Sequence, residues 1–284
     1  MHIRVMTGQD IPAGLRLSTF SGWNQTTSDW DRFLARSPQG CFVAEDGTKV
    51  VGTAATICYE DRFAWIGMVL VDPEYRKQGI GTRLLRKTIE HLDHSRISTM
   101  KLDATPLGKP IYTKLGFLEE YEIERWILKR LPGTISTASP AAHTPLTEYQ
   151  KEQIFMLDRK SFGADRRFLL QSLCDEAPEL AMAVGENGVT QGFAFGRHGL
   201  FADQLGPYVA TSRVAAQELL RVFLTRSTRE TIVVDCLKSS RETAESLAAC
   251  GFALSRTLTR MVRGPNTYPG RPDSLCAILG PEFG

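Results

Sequence analysis

Apolar positions in the first half of the chain switch between a two-residue and a 3.6-residue period, which predicts strands with helices between them. Asp46-Gly47 sits between the apolar pairs Val43-Ala44 and Val50-Val51, the arrangement of a tight hairpin. Ala64–Val71 is an apolar run stopped by Asp72-Pro73 and reads as a buried strand. Ile80, Leu84, Leu85, Thr88, Ile89 and Leu92 then line one helical face, with Arg83, Arg86, Lys87 and Glu90 on the other. A further strand covers about 98–103, a short helix fits 109–115 and stops at Gly116, and 123–128 alternates as a strand. Strands separated by helices in this order predict a mixed α/β sandwich.

The second half repeats landmarks of the first. Gly52 and Gly192 are 140 residues apart, Gly67 and Gly206 are 139 apart, and Gly116-Phe117 and Gly251-Phe252 are 135 apart. A nearly constant offset indicates an internal duplication. Its drift places a deletion in the second copy opposite residues 72–83. Between the copies, Leu131–Leu146 is rich in Pro, Ser, Thr and Ala and reads as a linker. The expected organisation is a first domain at 1–131, a linker at 132–145 and a second domain at 146–284.

Composition narrows the function without naming it. Thirty-four Lys+Arg against 32 Asp+Glu leave a formal charge of +2, which argues against a nucleic-acid partner. No apolar run approaches the ~18 residues of a membrane span, and the first residues lack a signal-peptide core. Six cysteines without a CxxC pair argue against a zinc site and fit a reducing cytoplasm. His91 and His94 lie three apart on the helix after the loop, with no third metal ligand in view.

The most informative stretch is Val71-Asp72-Pro73-Glu74-Tyr75-Arg76-Lys77-Gln78-Gly79-Ile80-Gly81-Thr82. A strand ends, a short loop carries two glycines, and an amphipathic helix starts at once. Glycines admit close backbone approach, and the free N–H groups of a helix start bind an anion such as pyrophosphate. There is no Gly-Lys-Ser/Thr, and the third glycine of the dinucleotide fingerprint is missing.

Arg76-Lys77-Gln78-Gly79-Ile80-Gly81 resembles the Gln/Arg-x-x-Gly-x-Gly/Ala acyl-CoA motif of the general N-acetyltransferase (GNAT) superfamily. Tyr112-Thr113-Lys114-Leu115-Gly116-Phe117 resembles that family's later Tyr-x-Lys-x-Gly-Phe segment. The whole chain is similar to uncharacterised bacterial two-domain members with a degenerate second domain. The resemblance implies an α/β fold of tandem GNAT-like domains, each a central, mostly antiparallel twisted (α+β) mixed sheet flanked by helices. It implies acetyl-CoA as donor and direct transfer of the acetyl group to an amine of a small molecule or peptide in a ternary complex. Carried over residue by residue, the backbones of Val69 and Val71 would meet pantetheine. Arg76, Lys77, Gln78, Gly79, Ile80, Gly81 and Thr82 would meet pyrophosphate. Thr105 stands where the family often has Asn, and Thr105-Pro106 equally suits a helix start. Tyr112 falls where the family places the tyrosine that protonates the departing thiolate. The strand position where many members have a basic Glu is Leu70, which leaves Glu60, Asp61 and Asp103 as candidate substitutes through water, each of which reads more readily as a solvated or structural carboxylate.

Trp23, Asn24 and Gln25 mix apolar and amide groups without helical periodicity, which suits an acceptor pocket wall. Trp30 and Phe33 follow at helical spacing and read as core. Asp165 and Arg166 suit either the acceptor side or an ordinary ion pair, with the ion pair the preferred reading. Alternative functions are a non-catalytic acyl-CoA-binding regulator and a tandem-domain aminothiol or aminoacyl acyltransferase. No membrane partner is expected, and the expected solution state is a monomer acting as an internal pseudo-dimer.

Overall fold

The computed structural model describes residues 1–131 and 144–284; of the expected linker, 132–143 lie outside the described residues. In chain order the elements are β1 (His2–Val5), α1 (Ile11–Phe20), α2 (Thr27–Arg36), β2 (Phe42–Asp46), β3 (Lys49–Tyr59), β4 (Phe63–Val71), α3 (Ile80–His94), β5 (Met100–Ala104), α4 (Lys109–Lys114) and β6 (Leu118–Lys129). They continue as α5 (Glu148–Phe162), α6 (Arg167–Glu176), β7 (Met182–Glu186), β8 (Val189–His198), β9 (Asp203–Ala210), α7 (Arg213–Arg226), β10 (Thr231–Leu237), α8 (Arg241–Ala249), β11 (Ala253–Arg263) and β12 (Leu275–Ala277).

Two compact units are built from these elements, and neither is one uninterrupted stretch of sequence. Unit 1 comprises residues 1–120, 260–267 and Phe283; unit 2 comprises 121–259, 268–282 and Gly284. Unit 1 therefore holds the end of β11 from the second copy, and unit 2 holds nearly all of β6 from the first.

In unit 1 the strand order is β1-β2-β3-β4-β5, with the last residues of β11 beside β5. Neighbours are antiparallel from β1 to β4, whereas β4 and β5 run parallel. The β2–β3 hairpin loop is Gly47-Thr48, one residue on from Asp46-Gly47, because Asp46 pairs with Lys49 and Gly47 takes the left-handed conformation (φ +60°). On one face, Ala64, Ile66, Met100, Leu102 and Ala104 pack against Leu85, Ile89 and Leu92 of α3. That contact uses the apolar stripe read from the sequence. The opposite face carries α1 and α2, where Trp30 and Phe33 are fully buried. A reciprocal Thr26–Asp29 cap starts α2, the Thr26 N–H donating to Asp29 at 2.9 Å.

Unit 2 repeats the plan, with order β6-β10-β12-β9-β8-β7 and the first residues of β11 beside β6. Its core joins Leu219, Leu220 and Phe223 of α7 to Ile232, Val234 and Cys236 of β10. Asn187 and Gly188 form its two-residue hairpin loop, both left-handed. The duplicated Gly-Phe landmarks share one conformation. Gly116 and Gly251 have φ +86° and +88°, and the Phe117 and Phe252 N–H groups each reach back 3.1 Å to a helix carbonyl.

Candidate functional site

The site grows from a defect in β4. Thr53 faces Leu70 and Ala55 faces Gly67, so β4 spends three steps where β3 spends two, and Met68 takes a left-handed φ of +54°. This is a β-bulge, which bends its strand and frees backbone groups from the ladder. The Thr53 hydroxyl fixes it by donating to the Met68 carbonyl at 2.7 Å. On the other edge, β4 pairs with β5 only at Ala64–Met100 and Trp65–Lys101. Beyond Trp65 the two strands part, and among the described residues no strand pairs with that edge of β4. Val69 lies on this stretch. The Val71 carbonyl accepts from the Arg76 Nε at 3.2 Å, so Val71 has less backbone to offer than Val69.

The bend leads into the glycine loop. Asp72 anchors it: its carboxylate accepts from the Glu74 N–H at 3.2 Å, from Arg16 at 2.9 Å, and pairs with Lys49 at 3.2 Å. Burial works against its charge, but these partners hold the carboxyl below its usual range. A short 3₁₀ turn at Pro73–Tyr75 follows, and then Lys77 and Gly79 both turn left-handed, at φ +62° and +76°. Gly79 precedes α3 without any side-chain cap. A Cβ on Gly79 would meet nothing within 4 Å, and one on Gly81 would meet only the Val71 side chain at 3.6 Å. No side chain caps the N–H groups of Ile80, Gly81 and Thr82, which stand at the positive end of a 15-residue helix next to this space. Arg76, Lys77 and Gln78 are exposed around this opening. These donors fit a pyrophosphate-bearing ligand in number and kind.

Thr105 closes the turn that leads into α4: its hydroxyl accepts from the Gly108 N–H at 3.2 Å and its carbonyl from the Lys109 N–H at 2.9 Å. Tyr112, on α4, lies edge-on to Phe117 with ring centroids 6.1 Å apart and packs on the same cluster as Val69. Desolvation pushes its phenol up to about 12.

The face away from α3 carries Trp65, Lys101 and Asp103. The Asp103 carboxylate is gripped by both sides of the Arg260 guanidinium, at 2.8 and 2.9 Å, and Arg260 stacks on Trp65 at 4.4 Å. Both members of the pair are buried, so Asp103 is a structural carboxylate rather than a substitute base. Burial lowers the Lys101 ammonium while Glu120, 3.5 Å away, partly restores it. Glu60 and Asp61 lie in the β3–β4 turn, at the far end of β4 from the glycine loop, where Glu60 pairs with Arg62 at 3.1 Å. Arg260 was invisible as a partner because it lies 157 residues from Asp103. The bulge likewise has no marker in an unbroken apolar run.

Between α1 and α2, Trp23 is half-buried and Asn24 and Gln25 are buried. The Gln25 Oε1 has no hydrogen-bond partner among the described residues. Arg166 pairs with Asp158 through two 2.9 Å bonds, not with Asp165, which instead accepts from the Arg167 N–H. Among the described residues no group of three or more His, Cys, Asp or Glu could hold a metal, and no helix is long and apolar enough to cross a membrane.

Two family models match: the acetyltransferase (GNAT) family over residues 14–117 and an acetyltransferase (GNAT) domain over 154–277. The uncharacterized N-acetyltransferase YitH of Bacillus subtilis is 29% identical over 162 residues, 57% of this chain and 56% of that protein. The chain thus matches little more than half the length of that relative. The holothin acyltransferase of a Pseudoalteromonas species is 22% identical over 92% of this chain and 87% of that protein. A crystal structure of a candidate acetyltransferase from Pyrococcus horikoshii superposes with a TM-score of 0.79 at 23% identity, covering 100% of this chain and 95% of that one. With a GNAT model matching each copy of the duplication, the chain belongs to the GNAT acyltransferase superfamily.

Proposed function

We propose that the chain is an acetyl-CoA-dependent N-acetyltransferase, with its donor site in unit 1 and an amine of a small molecule or peptide as acceptor. One observation carries this reading: the open edge of β4 beyond Trp65 runs directly into the uncapped helix start at Gly79–Thr82. A ligand that is amide-bearing at one end and anionic at the other fits that surface. Backbone groups around Val69 would hold the amides of the pantetheine arm. The N–H groups of Ile80, Gly81 and Thr82 would hold the pyrophosphate, with Arg76, Lys77 and Gln78 around it. The bound donor supplies an activated thioester; the protein orients it. When the amine nitrogen bonds to the acetyl carbon, the C–S bond breaks, the proton lost from nitrogen passes to solvent water, and Tyr112 regains from solvent the proton it gives to sulfur. Tyr112 holds the proton that the leaving sulfur takes, and its raised pKa keeps that proton in place at neutral pH. Trp23, Asn24 and Gln25 would line the acceptor side, where the Gln25 oxygen, closed off from solvent here, would take an amine N–H once its neighbours move aside. No side chain is assigned as base, since Asp103 is committed to Arg260.

The near full-length likeness to holothin acyltransferase favours a second reading within the same chemistry, an acyltransferase for another small acceptor, with the aminothiol and aminoacyl compounds expected from the sequence as the ones to test. The lack of a carboxylate on β4 favours a third, a regulator that binds acyl-CoA without turnover. Calorimetric titration of acetyl-CoA, followed by thiol release across amines, amino acids and aminothiols, separates the three. Saturable binding with amine-dependent release is expected. Binding without release for any acceptor selects the regulator, and absence of binding ends the donor-site reading.

A further inference from the structure

In unit 2 the notch that corresponds to the donor site is filled by the chain itself. The correspondence is structural as well as numerical. Ala194 faces Tyr208 and Gly196 faces Leu205, so β9 carries the same three-for-two bulge against β8 that β4 carries against β3. β9 then pairs with β10 in parallel at only three positions, Asp203–Ile232, Gln204–Val233 and Leu205–Val234, before the two strands part. Among the described residues, the equivalent gap in unit 1 has no strand in it. In unit 2 it holds β12.

That strand is bonded on both sides. Leu275 pairs with Val209 and Ala277 with Tyr208 on β9, while Ala277 also faces Cys236 on β10. The Ile278 N–H donates to the Asp235 carbonyl at 3.0 Å, and the Leu279 carbonyl accepts from the Gln204 side chain at 3.3 Å. The bulge is fitted to this segment. A Cβ on Gly206 would overlap the Ile278 carbonyl oxygen. Leu275, Ala277, Ile278 and Leu279 are all buried.

The rest of the machinery is absent in parallel. The Ser212 hydroxyl caps α7 by accepting from the Ala215 N–H at 3.2 Å, which takes up a donor that the α3 start leaves open. Only Thr211 and Ser212 separate β9 from α7, in place of the glycine loop. Leu247, whose carbonyl receives the Phe252 N–H, stands where Tyr112 stands before Phe117.

We propose that residues 275–279 are a resident strand that permanently occupies the donor-type notch of unit 2, its backbone making the hydrogen bonds that the amides of a pantetheine arm would make. Adding a strand to an exposed sheet edge satisfies the same N–H and C=O groups that an amide ligand would. Unit 2 is then a closed copy of the donor fold, with no vacancy for a second acyl-CoA. The comparison rests on the donor site proposed for unit 1, but the strand's seating can be read without it.

Hydrogen exchange by mass spectrometry on the full chain, with and without acetyl-CoA, tests the seating. The 275–279 segment is expected to exchange as slowly as β10, at least a hundredfold slower than residues 264–267, and to be unmoved by acetyl-CoA. Gly206→Ala should speed its exchange at least tenfold while β3 and β4 stay protected. Ile278→Pro, which removes one donor, provides the second variant. Equilibrium dialysis of the wild type should find one acetyl-CoA per chain. Fast wild-type exchange of 275–279, its acceleration by saturating acetyl-CoA, or two bound donors per chain would each overturn the proposal. These wild-type measurements decide it even if both variants fail to fold. Zero bound donors alongside a protected strand would count against the unit 1 site alone.

Discussion

Tyr112 and Gln25 are the residues at which chemistry and packing can be told apart. Tyr112 packs edge-on against Phe117, so a phenylalanine at 112 keeps the ring contact and removes only the hydroxyl. Tyr112→Phe should lower kcat about tenfold or more, the range of general acid catalysis, with acetyl-CoA affinity and melting temperature unchanged. Because desolvation pushes the phenol up to about 12, its ionisation should produce no alkaline fall in rate below roughly pH 11. Wild-type turnover in the variant would assign Tyr112 to packing. The Gln25 oxygen poses a sharper alternative. A buried acceptor without a partner costs about 1–3 kcal/mol, so Gln25→Leu should hold or raise stability. If that oxygen seats the acceptor amine, the same change should raise the acceptor KM about tenfold and spare acetyl-CoA. A higher melting temperature with unaltered KM would remove Gln25 from the site. The residue types at both positions could be read from the sequence. Their surroundings could not, because the hydroxyl's desolvation and the oxygen's isolation are made by side chains distant in the chain.

At the scale of elements, what was legible followed from periodicity. The apolar stripe of α3, the run that became β4 and the glycine loop between them are local patterns, and each element stands within a few residues of its expected place. The opening beside β4 is different in kind. It results from a bulge at Met68 and from the early parting of β4 and β5, neither of which alters the spacing of apolar residues. The two helix starts show how little sequence separates an open site from a closed one. Gly79 leaves the first N–H groups of α3 free, whereas Ser212 caps those of α7. Substitution at Gly79 should therefore act through charge more than through space. Alanine there meets no neighbour and costs about 1–2 kcal/mol for its left-handed backbone. Glu places a carboxylate where the donor's phosphates would lie. Gly79→Ala should bind acetyl-CoA within about thirtyfold of wild type, since its only penalty is that backbone cost, whereas Gly79→Glu should abolish binding in a folded protein. Calorimetry and circular dichroism on both variants check this, and equal losses would point to the backbone instead of the phosphate cradle.

Across the whole molecule, the duplication was legible but the exchange between its copies was not. Arg125 and Arg260 are 135 residues apart, the same offset as the two Gly-Phe landmarks, and each is gripped by an aspartate of the opposite copy. Arg260 holds Asp103 within unit 1, and Arg125 holds Asp235 within unit 2 through two 2.7 Å bonds. An offset compares positions along the chain and carries no information about which copy supplies a neighbour. The two aspartates are fully buried. Removing one partner of such a pair strands a charge and costs about 3–5 kcal/mol, whereas replacing both with apolar residues of similar volume is often neutral. Arg260→Leu should therefore destabilise unit 1 and weaken acetyl-CoA binding, although Arg260 lies in the second half of the sequence. Arg125→Leu should destabilise unit 2 by a similar amount and leave acetyl-CoA affinity intact, although Arg125 lies in the first half. Asp103→Leu combined with Arg260→Leu should recover most of the lost stability. Denaturant unfolding and acetyl-CoA titration on the three variants check the assignment. If acetyl-CoA affinity followed the half of the sequence, falling with Arg125→Leu and surviving Arg260→Leu, the exchanged composition of the two units would be wrong.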